Sequence, residues 1–385
     1  MRAPKFEFHR PQMLAAAMLL LFVAQCLWVV HHQTLTGLDY QYARCGRELW
    51  ERPSPLAGYL TSCGNISDGT FAYRVAGLPL TLERILLGQP SGVSTWEMRH
   101  LAGDVLLLLR LPFILFGVWL GGGIWWVSRR LYGNEGGFLA LTLYCVSPEM
   151  IRACVRPNNE ILAAWGLYGA LYTAIGLAHA MQGPKRKWRP RLLLLTVALG
   201  LTATAHVAAA ILGLLLALGF MLYLAEDRRA QVIPVLAMAA GGGFLIMVAS
   251  YAFRLDALSY VFQSADARMW VGWQGGFPIM ESLPNAGITI AALSTVAIYL
   301  FHRRSRYFGN TTPLIVAALL LALETTGVRS EPWLWALPFV LTFIGGVFAD
   351  MLESGHRRMF LWLTGAVVAA QVTLTLASLP FLISQ

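Results

Sequence analysis

Residues 106–165 read LLLLRLPFILFGVWLGGGIWWVSRRLYGNEGGFLALTLYCVSPEMIRACVRPNNEILAAW. An apolar run opens on Arg110-Leu111-Pro112, leaves through Arg129-Arg130-Leu131-Tyr132-Gly133 and resumes from Gly137 to Val146. Ser147-Pro148 and a short polar segment then lead into another run at Ile161. A helix that crosses a bilayer needs roughly 20 mostly apolar residues. The stretch therefore reads as a span, a tight basic return, a second span and the start of a third.

Working outward, further apolar runs lie at Met13 to Val30, Val105 to Val127, Ile161 to Met181, Leu192 to Ala205, Val207 to Ala225 and Val232 to Phe253. The last four are Ala286 to Phe301, Pro313 to Thr325, Trp333 to Phe348 and Leu361 to Leu382, which with Gly137 to Val146 makes eleven. The 385 residues are 57% hydrophobic and 13% charged, where a soluble domain carries about a quarter charged residues. A soluble enzyme is excluded. The expected fold is all-α and polytopic, one transmembrane domain over residues 1–385 with about eleven spans.

The net charge of +9 invites a nucleic-acid partner, but the basic residues form short runs between apolar stretches rather than one patch. MRAPKFEFHR, SRRLYGNE, GPKRKWRPR, EDRRAQ, HRRSRYFGN and ESGHRR hold 17 of the 29 Lys and Arg but only 5 of the 20 acids. They all fall on one side of an eleven-span topology, and an excess of Lys and Arg marks the cytoplasmic side. The N-terminus is then cytoplasmic and the C-terminus outside. No nucleic acid is expected as a partner. The first run has no cleavage site after Val23-Ala24-Gln25-Cys26 and reads as an uncleaved span.

Two longer outer loops follow from that topology. The first, residues 31–103, contains helix-like pieces at Tyr40 to Glu51 and Thr70 to Leu87, expected at the interface. The second, residues 254–285, carries Trp270 and Trp273. Cys45 and Cys63 lie in the first loop, and on an oxidising side they are disulfide candidates. Cys26 and Cys145 sit in spans as small hydrophobes, and Cys154 lies in a short outer loop. No CxxC, HExxH or paired Cys and His spacing signals a metal, and whether a divalent ion assists stays open. Gly121-Gly122-Gly123 and Gly241-Gly242-Gly243 lie mid-span with no following Lys, so helix packing is the reading rather than phosphate binding.

Ionisable residues in or beside a membrane are costly and are functional hypotheses by default. Here they gather at the outer side: Asp39, Arg110, Glu149, Arg152, Arg156, Glu160, His206, Glu324, Arg329 and Glu331. Each has a plain alternative. Asp39 and Glu160 suit helix N-termini, Arg110 can snorkel to headgroups, His206 can bridge two helix ends, and Arg329 with Glu331 can form an exposed pair.

The ordered series Arg110-Leu111-Pro112, Arg129-Arg130-Leu131-Tyr132-Gly133, Ser147-Pro148 and Glu160 resembles the C-type glycosyltransferase superfamily, in the branch of protein O-mannosyltransferases and lipid A aminoarabinose transferases. LDYQYARCGRELW is similar to that family's acidic motif after the first span, and Arg329-Ser330-Glu331-Pro332-Trp333 to its late outer turn. The resemblance implies an inverting glycosyl transfer from a sugar carried on a polyprenyl phosphate. Asp39 would be the catalytic base, Arg156, His206 and Arg329 would hold the donor phosphate, and Arg110, Glu160 and Glu331 would support them. The implied partners are the lipid-linked donor and membrane lipids, and the implied place is a bacterial cytoplasmic membrane. The chain departs from the pattern in having one acid where two are usual, His206 where Lys is usual, and an end at Gln385 soon after the last span. Those departures keep a second reading in play, a catalytically silent relative acting as a structural or accessory subunit of a membrane protein complex. A transporter is disfavoured because the halves show no repeat of broken helices.

Overall fold

The described part of each apolar run lies mainly on a helix in the computed structural model, which describes residues 10–51, 69–88, 104–251, 253, 283–301, 307–324, 332–353 and 357–384. Thirteen α-helices and no strand occur among the described residues. They are α1 (Arg10–His32), α2 (Gly37–Glu51), α3 (Phe71–Leu86), α4 (Asp104–Cys145), α5 (Pro148–Cys154), α6 (Glu160–Met181) and α7 (Lys185–Ala205). The series continues with α8 (Val207–Leu224), α9 (Arg229–Ser250), α10 (Ala286–Phe301), α11 (Tyr307–Glu324), α12 (Pro332–Leu352) and α13 (Arg357–Ser384). Seven are long and apolar enough to cross a membrane by length and composition, and Ala286–Phe301 and Gly309–Leu323 are shorter apolar helices.

The 42 residues of α4 are two helices rather than one, because Gly133 breaks the helical backbone at φ 89° and ψ −175°. The chain folds back there. A Cβ on Gly137 would lie 2.9 Å from that of Arg129, and the Tyr144 hydroxyl donates to the Gly117 carbonyl at 2.6 Å. These pairings run antiparallel, so the expected return after Arg129-Arg130 is a hairpin at Gly133. Only glycine adopts that backbone region without strain, and a Cβ there would meet nothing closer than Glu135 Oε2 at 3.5 Å. Gly133→Ala is therefore expected to cost about 1–3 kcal/mol from the backbone alone, read as a lower unfolding midpoint of the detergent-solubilised protein.

Local chemistry sets the other boundaries. Ser147 caps α5 by accepting from the Met150 N–H, with Pro148 at the first helical position, which is what the Ser-Pro motif does here. His206 alone separates α7 from α8, extended at φ −151° and ψ 110°. Buried amides tie elements together where helices stop. Gln371 of α13 donates to the carbonyls of Val146 and Pro284 and accepts from the Ile288 N–H.

Burial places α12 at the centre: 94% of its apolar window is inside the protein, against 28% for α1 and for α13. It packs on α4, α6 and α11, while α1 lies on α4 and the α6, α7, α8 and α9 helices form the neighbouring group. Mid-span glycines divide by surroundings. Gly121 lies against Tyr144 and Leu19, and Gly243 against Gly200, as helix packing requires, whereas Gly123 and Gly241 have open space around them.

The pieces expected at the interface are α2 and α3, and they cross in backbone contact. A Cβ on Gly46 would lie 2.7 Å from the Gly77 nitrogen, and one on Gly77 would lie 2.6 Å from the Arg47 nitrogen. Tyr42 stacks on Tyr73 at 4.2 Å beside this crossing, and Glu51 takes ion pairs from Arg47 and Arg84. Gly77→Leu must push the helices apart, at a cost at or above the 1–3 kcal/mol typical of overpacking, roughly. It should also displace α2, so the check is loss of thermal stability together with loss of any function that depends on Asp39.

Candidate functional site

Asp39 stands at the third position of α2, and Thr36 precedes that helix. The Thr36 N–H and hydroxyl donate to Asp39 Oδ2 at 2.9 and 2.7 Å, and the Asp39 N–H donates back to the Thr36 hydroxyl at 3.2 Å. This is a reciprocal capping box, so part of the carboxylate's role is to start the helix. The rest of its bonding is long-range. Arg110, 71 residues away in α4, donates through Nε to Asp39 Oδ1 at 3.1 Å and through Nη2 to Oδ2 at 2.7 Å. Both side chains are 1% exposed. Arg110 does not reach the headgroups; it turns inward to this acid.

Gln33, at the end of α1, completes the arrangement. Its Oε1 accepts from Arg110 Nη1, and its Nε2 donates to the Leu382 carbonyl of α13 at 2.5 Å. Three helices are thereby fixed around one guanidinium.

Arg156 lies beside this pair, in the turn between α5 and α6, half-buried. Burial lowers its guanidinium pKa below the ordinary value, and so do the positive charges of Arg110 and Arg152, while Asp39 pulls the other way. It stays a cation. Among the described residues its side chain has no ion pair or hydrogen bond, whereas neighbouring Arg152 is paired with Glu149 at 2.5 Å. Glu149 also accepts from Asn285 at 3.3 Å.

Four residues beyond Arg156, Glu160 opens α6 and accepts from the Trp335 indole N–H at 2.7 Å. Trp335 is fully buried in the first turn of α12, and the His206 ring meets it edge-on at 4.8 Å and 73°. Glu160 and His206 thus both touch the Trp335 indole, which lies 175 positions from Glu160 in sequence. Asp39, Arg110 and Arg156 form one group, and Glu160, Trp335 and His206 a second. The turn at 156–160 connects them.

Arg329, Glu331 and Cys63 lie outside the described residues, as do Trp270 and Trp273. Cys45 is disulfide-bonded, while Cys26, Cys145 and Cys154 carry free, buried thiols. Among the described residues no three His, Cys, Asp or Glu side chains are close enough to hold a metal ion.

Below His206 an apolar groove of about 800 Å³ runs between α8 and α11, walled by Leu212, Leu216, Phe220, Ile315, Leu319 and Leu323. Its upper end, at Leu212, begins six residues after His206, about 9 Å along the helix at 1.5 Å per residue.

Sequence reasoning missed three participants. Gln33 carries no local signal. The spacing Thr36-x-x-Asp39 was a readable capping signature. Trp335 sits two residues after the Pro332-Trp333 pair, where an aromatic reads as part of an interfacial belt.

A buried acid held by an arginine, a second arginine beside it with no ion pair among the described residues, and an apolar groove lie in an all-helical bundle with seven helices of membrane-spanning length, and superposition on solved structures shows the C-type glycosyltransferase fold. Residues 95–252, less than half the chain, match the dolichyl-phosphate-mannose-protein mannosyltransferase family. The structure of ArnT from Cupriavidus metallidurans bound to undecaprenyl phosphate superposes with a TM-score of 0.62 at 15% identity, over 93% of this chain and 64% of ArnT. The Archaeoglobus fulgidus oligosaccharyltransferase in its apo form gives 0.62 at 13% identity, over 97% of this chain and 56% of the other. The archaeal oligosaccharyltransferase AglB from Archaeoglobus fulgidus, in complex with an inhibitory peptide and a dolichol-phosphate, gives 0.56 at 13% identity, over 94% of this chain and 56% of the other. This chain therefore spans less than two thirds of those solved chains. No curated protein matches it by sequence.

Proposed function

We propose that this protein transfers a sugar from a polyprenyl-phosphate donor to an acceptor at the outer face of a bacterial cytoplasmic membrane, with its N-terminus in the cytoplasm. The observation that carries this reading is the half-buried Arg156, which has no ion pair among the described residues, beside the Asp39–Arg110 pair. An inverting transfer needs a carboxylate to take the acceptor's proton and fixed positive charge to stabilise the departing phosphate. Asp39 is the base. Arg156 is the phosphate ligand, since a guanidinium fork matches phosphate oxygens, and His206 and Arg329 complete the set. Arg110, Glu160 and Glu331 support these residues. The groove between α8 and α11 suits the apolar tail, and its approach to His206 brings tail and headgroup sites together. That ArnT was solved with undecaprenyl phosphate and AglB with a dolichol-phosphate supports a donor of this class.

The test is transfer itself. Purified protein in lipid nanodiscs is given a polyprenyl-phosphate-linked sugar and membrane-extract acceptors, with Asp39→Asn as the comparison. Wild-type transfer that is lost in the variant supports the reading, and equal transfer by both removes Asp39 as base.

One observation favours the second reading, a silent accessory subunit. Asp39 is 1% exposed and already takes four donors, which is what a purely structural acid looks like. Co-purification in fixed stoichiometry with unrelated membrane subunits, without transfer, would establish it.

A further inference from the structure

The Asp39 carboxylate cannot act as a base while it is held as this structure holds it. Oδ2 accepts from the Thr36 N–H, the Thr36 hydroxyl and Arg110 Nη2, and Oδ1 from Arg110 Nε. Two of these four bonds are local to the helix start and leave with nothing. The other two belong to Arg110, the one long-range partner among the described residues.

Arg110 in turn has a reason to leave. The positive charge of Arg156 lies near Arg110 on one side and Arg152 on the other, and of Arg152 and Arg156 only Arg152 has a carboxylate of its own among the described residues. Like charges in a poorly solvated site repel more than they do in water. An anion placed between Arg110 and Arg156 would relieve that repulsion. A phosphate offers more charge and more acceptor oxygens than the carboxylate that Arg110 would give up.

We propose that Arg110 changes partners when a lipid phosphate arrives: it leaves Asp39, joins Arg156 on the phosphate, and frees the carboxylate only in the donor-loaded protein. Arg110 is then a positioning residue for Asp39 at rest and a phosphate ligand in the loaded state. Gln33, bonded to Nη1 and to the Leu382 carbonyl, holds the far side of the guanidinium while Nε and Nη2 are exchanged. Donor binding must precede base action, so a sugar acceptor arriving first finds no free carboxylate. The inference rests on the transferase reading of Asp39 and Arg156, and adds the order of events.

Phosphate binding, measured without turnover, tests it. Undecaprenyl phosphate is titrated onto the full-length protein in phosphatidylcholine nanodiscs, with inorganic phosphate as the tail-free arm. In the wild type the phosphate must displace Asp39 from Arg110, and in Asp39→Asn it need not. Asp39→Asn should therefore bind tighter, on the order of tenfold, as coupled sites typically do, and by a similar ratio for both probes, because the exchange lies in the headgroup. Loss of a nearby negative charge would also tighten binding, so the comparison is repeated in an Arg110→Gln background. There the exchange leaves little further effect of Asp39→Asn, whereas simple repulsion leaves the full effect. A tightening that persists undiminished in that background, or no tightening at all, overturns the proposal. Since each single variant strands one buried charge, the wild type supplies a second readout. Carboxyl-directed labelling of Asp39, followed by mass spectrometry, should rise when undecaprenyl phosphate is added, and labelling that stays flat or falls overturns the exchange. If Asp39→Asn loses transfer but its phosphate affinity equals that of the wild type, the exchange is wrong and the transferase reading stands. If it keeps wild-type transfer, both fall.

Discussion

Asp39→Asn is expected to lower the rate of sugar transfer by about 10²- to 10⁴-fold, the range that a positioned general base contributes. The substitution is close to isosteric, and an asparagine oxygen can still accept from the Thr36 N–H and hydroxyl that now bond Oδ2 at 2.9 and 2.7 Å. The helix start is therefore kept, and what is lost is the ability to take a proton. The rate constant for transfer should fall with little change in the concentration of donor that half-saturates it, or with a decrease. Initial rates over a range of donor concentrations separate the two quantities. A drop that appeared only as weaker saturation would put Asp39 among the binding residues instead.

Local patterning accounts for the parts of this fold that the sequence made legible. Apolar runs of membrane length are visible without any tertiary knowledge, and the described part of each of the eleven lies mainly on a helix. Gly133 follows two arginines between two such runs, so a return was readable, although a φ of 89° there was not. Ser147-Pro148 announces a helix start by its own chemistry, and Tyr40 to Glu51 and Thr70 to Leu87 agree with α2 and α3 to within a few residues.

What stayed hidden is contact between residues far apart in sequence. Asp39 and Arg110 could be named as unusual charges, but nothing in their spacing of 71 residues shows that they bond each other rather than separate partners. The burial that makes the pair consequential is a property of the packed bundle. The same holds for Trp335, whose indole reaches Glu160 across 175 residues, and for Gln33, an ordinary polar residue at a helix end until Arg110 and Leu382 are seen around it. A charge stands out in an apolar sequence, whereas its neutral supporters do not.

Arg110→Met is expected to destabilise the protein by about 3–5 kcal/mol, the cost of removing one partner from a buried ion pair. The methionine fills much of the space of the arginine stem, so the loss is not mainly one of packing. It comes from Asp39, which is 1% exposed and would keep its charge with only the Thr36 donors to solvate it. Gln33 also loses the donor at its Oε1. Asp39→Asn/Arg110→Met removes both charges, and should recover most of the lost stability, since replacing a buried pair by neutral groups of similar size is often close to neutral. Thermal unfolding of the wild type, the two single variants and the double variant closes a cycle whose interaction energy isolates the pair. Additive effects of the two single changes would mean that the pair contributes no coupling, and that Asp39 depends on Thr36 rather than on Arg110 for its place in the site.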